Sequence, residues 1–135
     1  DRNTSSTWTS TGGYIKYAPY TRLLADTPTP TFECNTVDVV TNNFGLITAD
    51  EIVLAGGKYN TDNSAFYLNN NMAYWAGSPY GFYGSISDVF ALVPIGGLGY
   101  GNVDYRNNGA RGVVSLSSES KLLGSGTYDD VYTVG

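Results

Sequence analysis

Residues 45–57, GLITADEIVLAGG, predict a short α-helix with both of its ends marked. Thr48 and Glu51 have the spacing of a capping box, in which each side chain binds a backbone amide left free at the helix N-terminus. Asp50 adds a second negative charge to the first turn, where the helix dipole favours it. Two glycines end the stretch, as is common just beyond a helix. We therefore expect a helix over residues 48–55, which is too short to be stable unless it packs on a larger body.

The remainder of the chain has the composition of a small, strand-rich domain. It has 135 residues with 17 glycines and 12 tyrosines, and only 14% of its residues are charged. This length suits one domain with a real core, and the shortage of helix-forming residues favours short strands joined by turns. The sequence predicts strands near 13–18, 31–34, 37–41, 65–68, 72–76, 89–93, 113–116 and 131–134, and loops at 26–31, 77–88 and 98–108.

Charge and residue types exclude several classes of function. The net charge is −5 and the seven basic residues are dispersed, so nucleic acid is not an expected partner. No apolar run is long enough to cross a membrane. Histidine is absent, which removes the commonest general base and any Ser–His or Cys–His nucleophile. We therefore expect a protein that is not an enzyme.

Cys34 is the only cysteine of the chain. An internal disulfide and a cysteine-based metal site are therefore excluded. The simplest interpretation is a small buried apolar side chain, and a disulfide to a cysteine of a missing segment is the alternative. Because the sequence begins at Asp1 rather than at methionine, we expect a single domain, 1–135, that is a processed product or a segment of a larger precursor.

Three segments resemble one branch of a known fold. Residues 46–57 (LITADEIVLAGG), 74–79 (YWAGSP) and 109–116 (GARGVVSL) resemble the helix, the following strand and the closing strand of the formylglycine-generating-enzyme-like branch of the C-type lectin fold. The resemblance implies an α+β, C-type lectin-like fold with short antiparallel sheets, one short capped helix and long irregular loops. The reactive cysteines of those enzymes have no counterpart here, so their activity is not implied.

Two further segments make the resemblance closer. Residues 30–34 (PTFEC) and 124–132 (GSGTYDDVY) resemble segments of C-terminal domains in secreted, surface or prepilin-like proteins of Firmicutes and related bacteria. Gly112 stands where the closing strand of the enzyme-like branch has a proline, and Val131 stands where the last of these segments has one, so the local geometry is expected to differ at both places. This likeness implies that domain 1–135 is the C-terminal part of a larger or processed surface protein, with an extracellular or cell-surface location.

Tyrosine, serine, glycine and asparagine are concentrated in two of the predicted loops, 77–88 and 98–108. This is the composition of an adaptable binding surface, in which rigid aromatic anchors lie among flexible hydrogen-bonding groups. In the C-type lectin fold this part of the chain builds the exposed ligand face. The predicted ligand-binding residues are Tyr80, Phe82, Tyr83, Ser85, Tyr100, Asn102, Asp104, Tyr105, Asn107 and Asn108. The alternative is that the tyrosines only cover a sparse core while their hydroxyl groups remain in water.

The remaining carboxylates give a weaker pattern. Asp129 and Asp130 lie in a predicted turn, and with Asp104 or Asp88 they could bind calcium through oxygen ligands. No regularly spaced series of aspartates supports such a site, and simple turn and solvation roles are the alternative. We assign no metal site and no cofactor.

Arg111 is predicted to be structural, because it lies in an otherwise apolar closing strand. A buried guanidinium group needs a carboxylate or carbonyl partner, and Glu51 or Asp50 is the expected one. Apart from this pairing, helix capping explains both acidic residues.

These observations predict a non-enzymatic extracellular recognition or adhesion module that binds a carbohydrate or protein ligand on a cell surface. The alternative is a structural, pilin-like or surface-assembly subunit, in which the same loops mediate self-association.

Overall fold

The computed structural model describes residues 14–33, 44–114, 116–125 and 129–135. The described residues form mostly antiparallel sheets with two short helices, which confirms the predicted mixture of α and β structure. The elements are β1 (Tyr14–Lys16), α1 (Ala18–Leu23), β2 (Gly45–Leu46), α2 (Ala49–Leu54), β3 (Tyr74–Tyr83), β4 (Ile86–Leu92), β5 (Leu98–Asn102), β6 (Gly109–Ala110), β7 (Gly112–Val113), β8 (Leu122–Leu123) and β9 (Thr133–Val134).

Helix α2 is the predicted capped helix. The Glu51 N–H donates to Thr48 Oγ1 at 3.1 Å, and the Thr48 N–H donates to the Glu51 carboxylate at 2.7 Å, which completes the capping box. The buried Ser78 hydroxyl of β3 accepts a hydrogen bond from the Ala49 N–H at 2.9 Å. At the other end, Gly56 has a φ of +98°, as expected for the residue that ends a helix. Both the ends and the docking of this helix are therefore fixed.

Strands β3, β4 and β5 form an antiparallel meander at the centre of the main sheet, whose strand order is β1-β3-β4-β5. The edge of β3 that does not pair with β4 is shared by two strands. Strand β1 pairs antiparallel with residues 81–83, and β6 pairs parallel with Tyr74 and Trp75. Two small antiparallel sheets, β2–β7 and β8–β9, complete the described structure.

The core lies on one face of this sheet. Phe90, Leu92 and Leu98 have no exposed surface, and Phe90 and Leu92 lie opposite Tyr100 and Leu98 in the register of β4 and β5. Helices α1 and α2 cover this face with their own buried apolar residues, which join the same cluster. Both helices of the described part of the chain therefore lie on this one face of the sheet.

An ion pair joins α1 to α2. Arg22 Nε donates to Asp50 Oδ1 at 2.8 Å, and Arg22 Nη2 donates to Asp50 Oδ2 at 2.7 Å. The Thr31 N–H donates a third hydrogen bond to Asp50 Oδ1 at 3.0 Å. Asp50 is only 4% exposed, so its charge requires these partners.

Arg111 therefore does not pair with Asp50 or Glu51, and that prediction was wrong. Its Nη1 donates to the Leu68 carbonyl oxygen, and its guanidinium group lies 5.0 Å from the centroid of the Tyr74 ring. The predicted need for a carboxylate or carbonyl partner is met by the carbonyl.

The longest predicted loop is a β-hairpin in the structure. Residues 77–88 lie in β3 and β4 and in the turn between them, where Gly84 has a φ of +58°. Pro79 is tolerated because the register of β3 against β4 shifts on both sides of it, and an irregular position does not need every backbone N–H. The first half of the predicted loop 98–108 is likewise a strand, β5. Both loop predictions were based on glycine and serine content. In the structure, pairing with neighbouring strands makes most of these residues strands in spite of that content.

Several strand predictions are confirmed in shorter or shifted form. The predicted strands 72–76 and 89–93 overlap β3 and β4, and those at 13–18 and 131–134 contain β1 and β9. The predicted strand 113–116 shares only Val113 with β7. Residues 65–68 form turns, and residues 31–33 are not a strand. Cys34 and the predicted strand 37–41 lie outside the described residues.

Helix α1 was not predicted, and the expectation of a single helix was wrong. Pro19 lies in its first turn, where proline suits a helix because the missing N–H would have no partner there. That signal was present in the sequence, but it lay just after the predicted strand 13–18, in a segment to which no element was assigned.

Candidate functional site

A groove of about 280 Å³ lies beside β5 and the turn that follows it. Four of the ten predicted ligand-binding residues line it, although they were expected in a single irregular loop. The described lining residues are Ala73, Ala91, Val93, Tyr100, Gly101, Asn102, Tyr105 and Asn108.

The floor of the groove is formed by small residues on the face of the sheet opposite the core. Side chains alternate between faces along a strand, so Ala91 points away from the face that carries Phe90 and Leu92. A side chain at Gly101 would meet the Trp75 ring at 3.4 Å and the Asn108 amide nitrogen at 3.8 Å. Because Gly101 has no side chain, the Trp75 ring and the Asn108 amide can both lie close to its backbone.

The turn at 103–108 supplies the walls and is held at both ends. The Val103 N–H donates to the Ser87 carbonyl at 2.9 Å, the Tyr105 N–H to the Asn102 carbonyl at 2.9 Å, and the Gly109 N–H to the Ala73 carbonyl at 2.8 Å. Because these bonds lie on the backbone, the side chain of Tyr105 does not hold the turn. It is 54% exposed.

Tyr100 is supported by Tyr80. Their rings stack with centroids 4.0 Å apart and an angle of 7° between the planes. Tyr80 is only 5% exposed, and it also makes edge contacts with Tyr20 and Phe90. The structure thus places Tyr80 in the core rather than on an exposed loop, because it shares the core face with Phe90. Tyr80 therefore supports the ring of Tyr100 through the stacked contact between them.

The other predicted residues lie outside the groove. Phe82, Tyr83 and Ser85 belong to the end of β3 and its turn, and Tyr83 is 50% exposed. Asp104 and Asn107 are exposed in the turn 103–108 but do not line the groove. The ten predicted residues therefore do not form one binding surface. Four line the groove beside β5, and others lie at the end of β3 and in the turn after it.

The lining has the chemistry of a site for a small neutral ligand. Each asparagine amide can both donate and accept hydrogen bonds, and aromatic rings supply apolar contact area with a defined geometry. The described lining residues carry no charge and include no nucleophile paired with a base. The volume is near the lower limit for ligand pockets, roughly 300 Å³, which suits one ring-sized group.

Sequence reasoning missed the floor of this groove. Ala91 and Gly101 come from the neighbouring strands β4 and β5, and their proximity depends on the register. The alternation of glycine with Tyr100 in β5, GYG, was the available signal, because small residues at every second position leave one face of a strand open.

Carboxylates do not gather into a metal site within the described residues, where no group of three or more metal-binding side chains is found. Asp130 accepts a hydrogen bond from the Ser125 N–H at 2.8 Å, which is a turn-stabilising role. Neither described helix has the length and apolar character needed to cross a membrane.

Comparison with known proteins gives this chain no relative: no family model, curated protein or solved structure matches it.

Proposed function

We propose that this protein is a non-enzymatic recognition module that binds a neutral sugar group of a surface carbohydrate in the groove beside β5. The observation that carries the proposal is the combination of two amides, Asn102 and Asn108, with the exposed ring of Tyr105 around a floor of small residues. Sugar rings present hydroxyl groups at their edges and C–H groups on their faces. Amides suit the former, and tyrosine rings suit the latter.

The finer fold assignment is part of the same proposal. We place the chain in the C-type lectin-like fold on the order of its elements, with the capped helix α2 followed by the long strand β3. The pairing of β2, just before α2, with β7 in the closing segment supports this assignment. An extracellular or cell-surface location belongs to the proposal too, and it rests on the sequence resemblance.

A glycan array probed with the purified protein tests the proposal, followed by calorimetry on any ligand found. Tyr105→Ala and Asn108→Ala are the test variants. Tyr67→Ala is the matched control, because Tyr67 is 71% exposed and does not line the groove. We expect each test variant to weaken binding about tenfold, since a loss of about 1.4 kcal/mol corresponds to that factor, and the control to bind normally. A folded Tyr105→Ala variant with unchanged affinity would exclude this groove as the site.

The second candidate function is a structural subunit that assembles with copies of itself. The observation that favours it is the apolar surface of the C-terminal segment, where Val114, Leu123, Val131 and Val134 are each about 60% exposed. Exposed apolar residues mark a contact site when they form one contiguous patch. Sedimentation equilibrium over a wide concentration range, with Leu123→Lys alongside, tests it. A monomer at all concentrations would exclude this second function.

A further inference from the structure

Trp75 borders the groove beside β5 but is not one of its described lining residues. It was not among the predicted ligand-binding residues either. We infer that the exposed part of its indole ring binds a second sugar residue, next to the one in the groove. The ligand is then a carbohydrate with at least two adjacent neutral rings. This inference rests on the proposed function and extends it from one sugar group to a longer carbohydrate.

The indole ring of Trp75 extends across the sheet from β3 toward β5. Trp75 lies opposite Ala91 of β4 in the register. Two atoms at the far edge of its ring, Cη2 and Cζ3, lie 3.4 Å from the position that a Cβ at Gly101 of β5 would occupy. Neighbouring strands are about 4.8 Å apart, so a ring that reaches from β3 to β5 passes over β4.

The ring lies on the face of the sheet that points away from the core. Tyr74 and Ala76, its neighbours in β3, are both buried in the core, and side chains alternate between faces along a strand. Ala91 shares the outer face with Trp75 and is only 1% exposed, because the ring passes over it. Trp75 itself remains partly exposed. Its ring is therefore supported from below by the sheet and accessible from outside.

Trp75 also brings a hydrogen-bond donor to this surface. The indole N–H only donates, and no acceptor for it is found among the described residues, so the donor is available to a ligand. An aromatic ring suits the C–H groups on the face of a sugar, and an N–H suits its hydroxyl groups. Trp75 therefore offers a sugar both kinds of contact that Tyr105 and Asn108 offer in the groove.

The groove and the Trp75 ring are contiguous. Gly101 and Asn108 both line the groove, and the Asn108 amide nitrogen and the Trp75 ring approach the same side of Gly101. The groove volume of about 280 Å³ suits one ring-sized group. The next residue of a carbohydrate chain must therefore lie on the surface outside the groove, and Trp75 supplies aromatic surface at that boundary.

The alternative is that Trp75 only shields Ala91 and stabilises the sheet. The two roles differ in one measurable quantity, the preference for a disaccharide over the corresponding monosaccharide. If Trp75 only holds the groove in shape, its loss weakens the binding of both sugars alike and leaves this preference unchanged. If Trp75 binds the second sugar residue, its loss weakens the binding of the disaccharide alone and lowers the preference.

The test is NMR titration of the isotopically labelled full chain with glucose, galactose, mannose and N-acetylglucosamine, and with a disaccharide of each. Trp8→Phe, which leaves Trp75 as the only tryptophan, assigns the indole N–H signal. For the sugar that binds in the groove, we expect the disaccharide to bind about tenfold more tightly than the monosaccharide. We also expect the disaccharide to shift the Trp75 indole signal.

Trp75→Leu keeps an apolar cover over Ala91 but removes the ring, and it should abolish the preference for the disaccharide. Trp75→Phe keeps a smaller ring without the donor, and it should give an intermediate preference. It also tests the inference if Trp75→Leu does not fold. Tyr67→Leu is the matched control, because Tyr67 is exposed and lies outside the groove; it should keep the preference of the parent.

Two outcomes would overturn this inference alone. The first is a monosaccharide that binds the parent as tightly as its disaccharide does. The second is an undiminished preference for the disaccharide in Trp75→Leu or, if that variant does not fold, in Trp75→Phe. Both leave the proposed function intact, because binding of the monosaccharide and its loss in Tyr105→Ala report on the groove itself. If no sugar of either length binds, the proposed function fails and this inference fails with it.

Discussion

Replacing Arg22 with methionine should destabilise the protein strongly, because it leaves the buried carboxylate of Asp50 without its cation. Asp50 would keep one hydrogen bond, from the Thr31 N–H at 3.0 Å. Breaking a buried ion pair on one side costs about 3–5 kcal/mol. The Arg22 side chain is 25% exposed, and water can partly replace it, so we expect the lower end, about 3 kcal/mol. A domain is stable by about 5–15 kcal/mol, so the variant should still fold.

Urea unfolding followed by circular dichroism measures this loss as a free energy of unfolding. The double variant Arg22→Met/Asp50→Asn is the informative companion, because it removes the stranded charge while keeping an acceptor for Thr31. We expect it to recover at least half of the lost stability. Arg106→Met is the control for loss of an arginine at an exposed position, with an expected change within about 0.5 kcal/mol.

The reasoning fails if Arg22→Met costs less than about 1 kcal/mol, the size of an ordinary exposed ion pair. It also fails if the double variant is less stable than the single one. In that case the stranded charge would not be the origin of the loss.

Three further changes test other parts of the structure. Thr48→Ala should lower the free energy of unfolding by about 1 kcal/mol through loss of the helix cap. Thr48→Ser should lower it by less, and urea unfolding measures both changes. Gly96→Ala should lower the free energy of unfolding by at least about 2 kcal/mol, because Gly96 has a φ of +79° and a new Cβ would overlap the Asn63 carbonyl. Thermal unfolding measures this loss, and Gly45→Ala is the control because the space around Gly45 is open. Burial raises the pKa of Tyr59 in the folded state, so its contribution to stability is complete below about pH 10 and is lost as the pH rises through the folded-state value. Unfolding measured at about pH 9 and about pH 11 should therefore show a smaller alkaline loss in Tyr59→Phe than in the parent, and equal losses would contradict this.

The sequence was sufficient where the signals are local. The capping box of α2 lies within four consecutive residues, so its hydrogen bonds could be predicted from spacing alone. The partner of Asp50 could not, because Arg22 is 28 positions away and the helix dipole offered a sufficient local explanation for the acid. Pro79 and its neighbouring glycines indicated a loop, and only pairing with β4 makes that segment a strand.

Part of the candidate site could likewise be predicted from the sequence, and part of it could not. Asn102, Tyr105 and Asn108 are close in sequence and lie together in the groove beside β5. Tyr80 was assigned to the same surface by composition, yet its position in the pleat of β3 and its contact with Phe90 bury it.

The shared edge of β3 has a consequence for the order in which the chain folds. The β3–β4–β5 meander closes through short connections, which cost little loop entropy and form quickly. Strands β1 and β6 reach the same edge of β3 from opposite sides of the meander in the chain, and the cost of closing the longer loop to β1 is larger. We therefore expect the meander to form first, and strands β1 and β6 to pair afterwards with different parts of the same edge of β3. Opening of that edge would release both flanking segments while the core of the meander stayed intact.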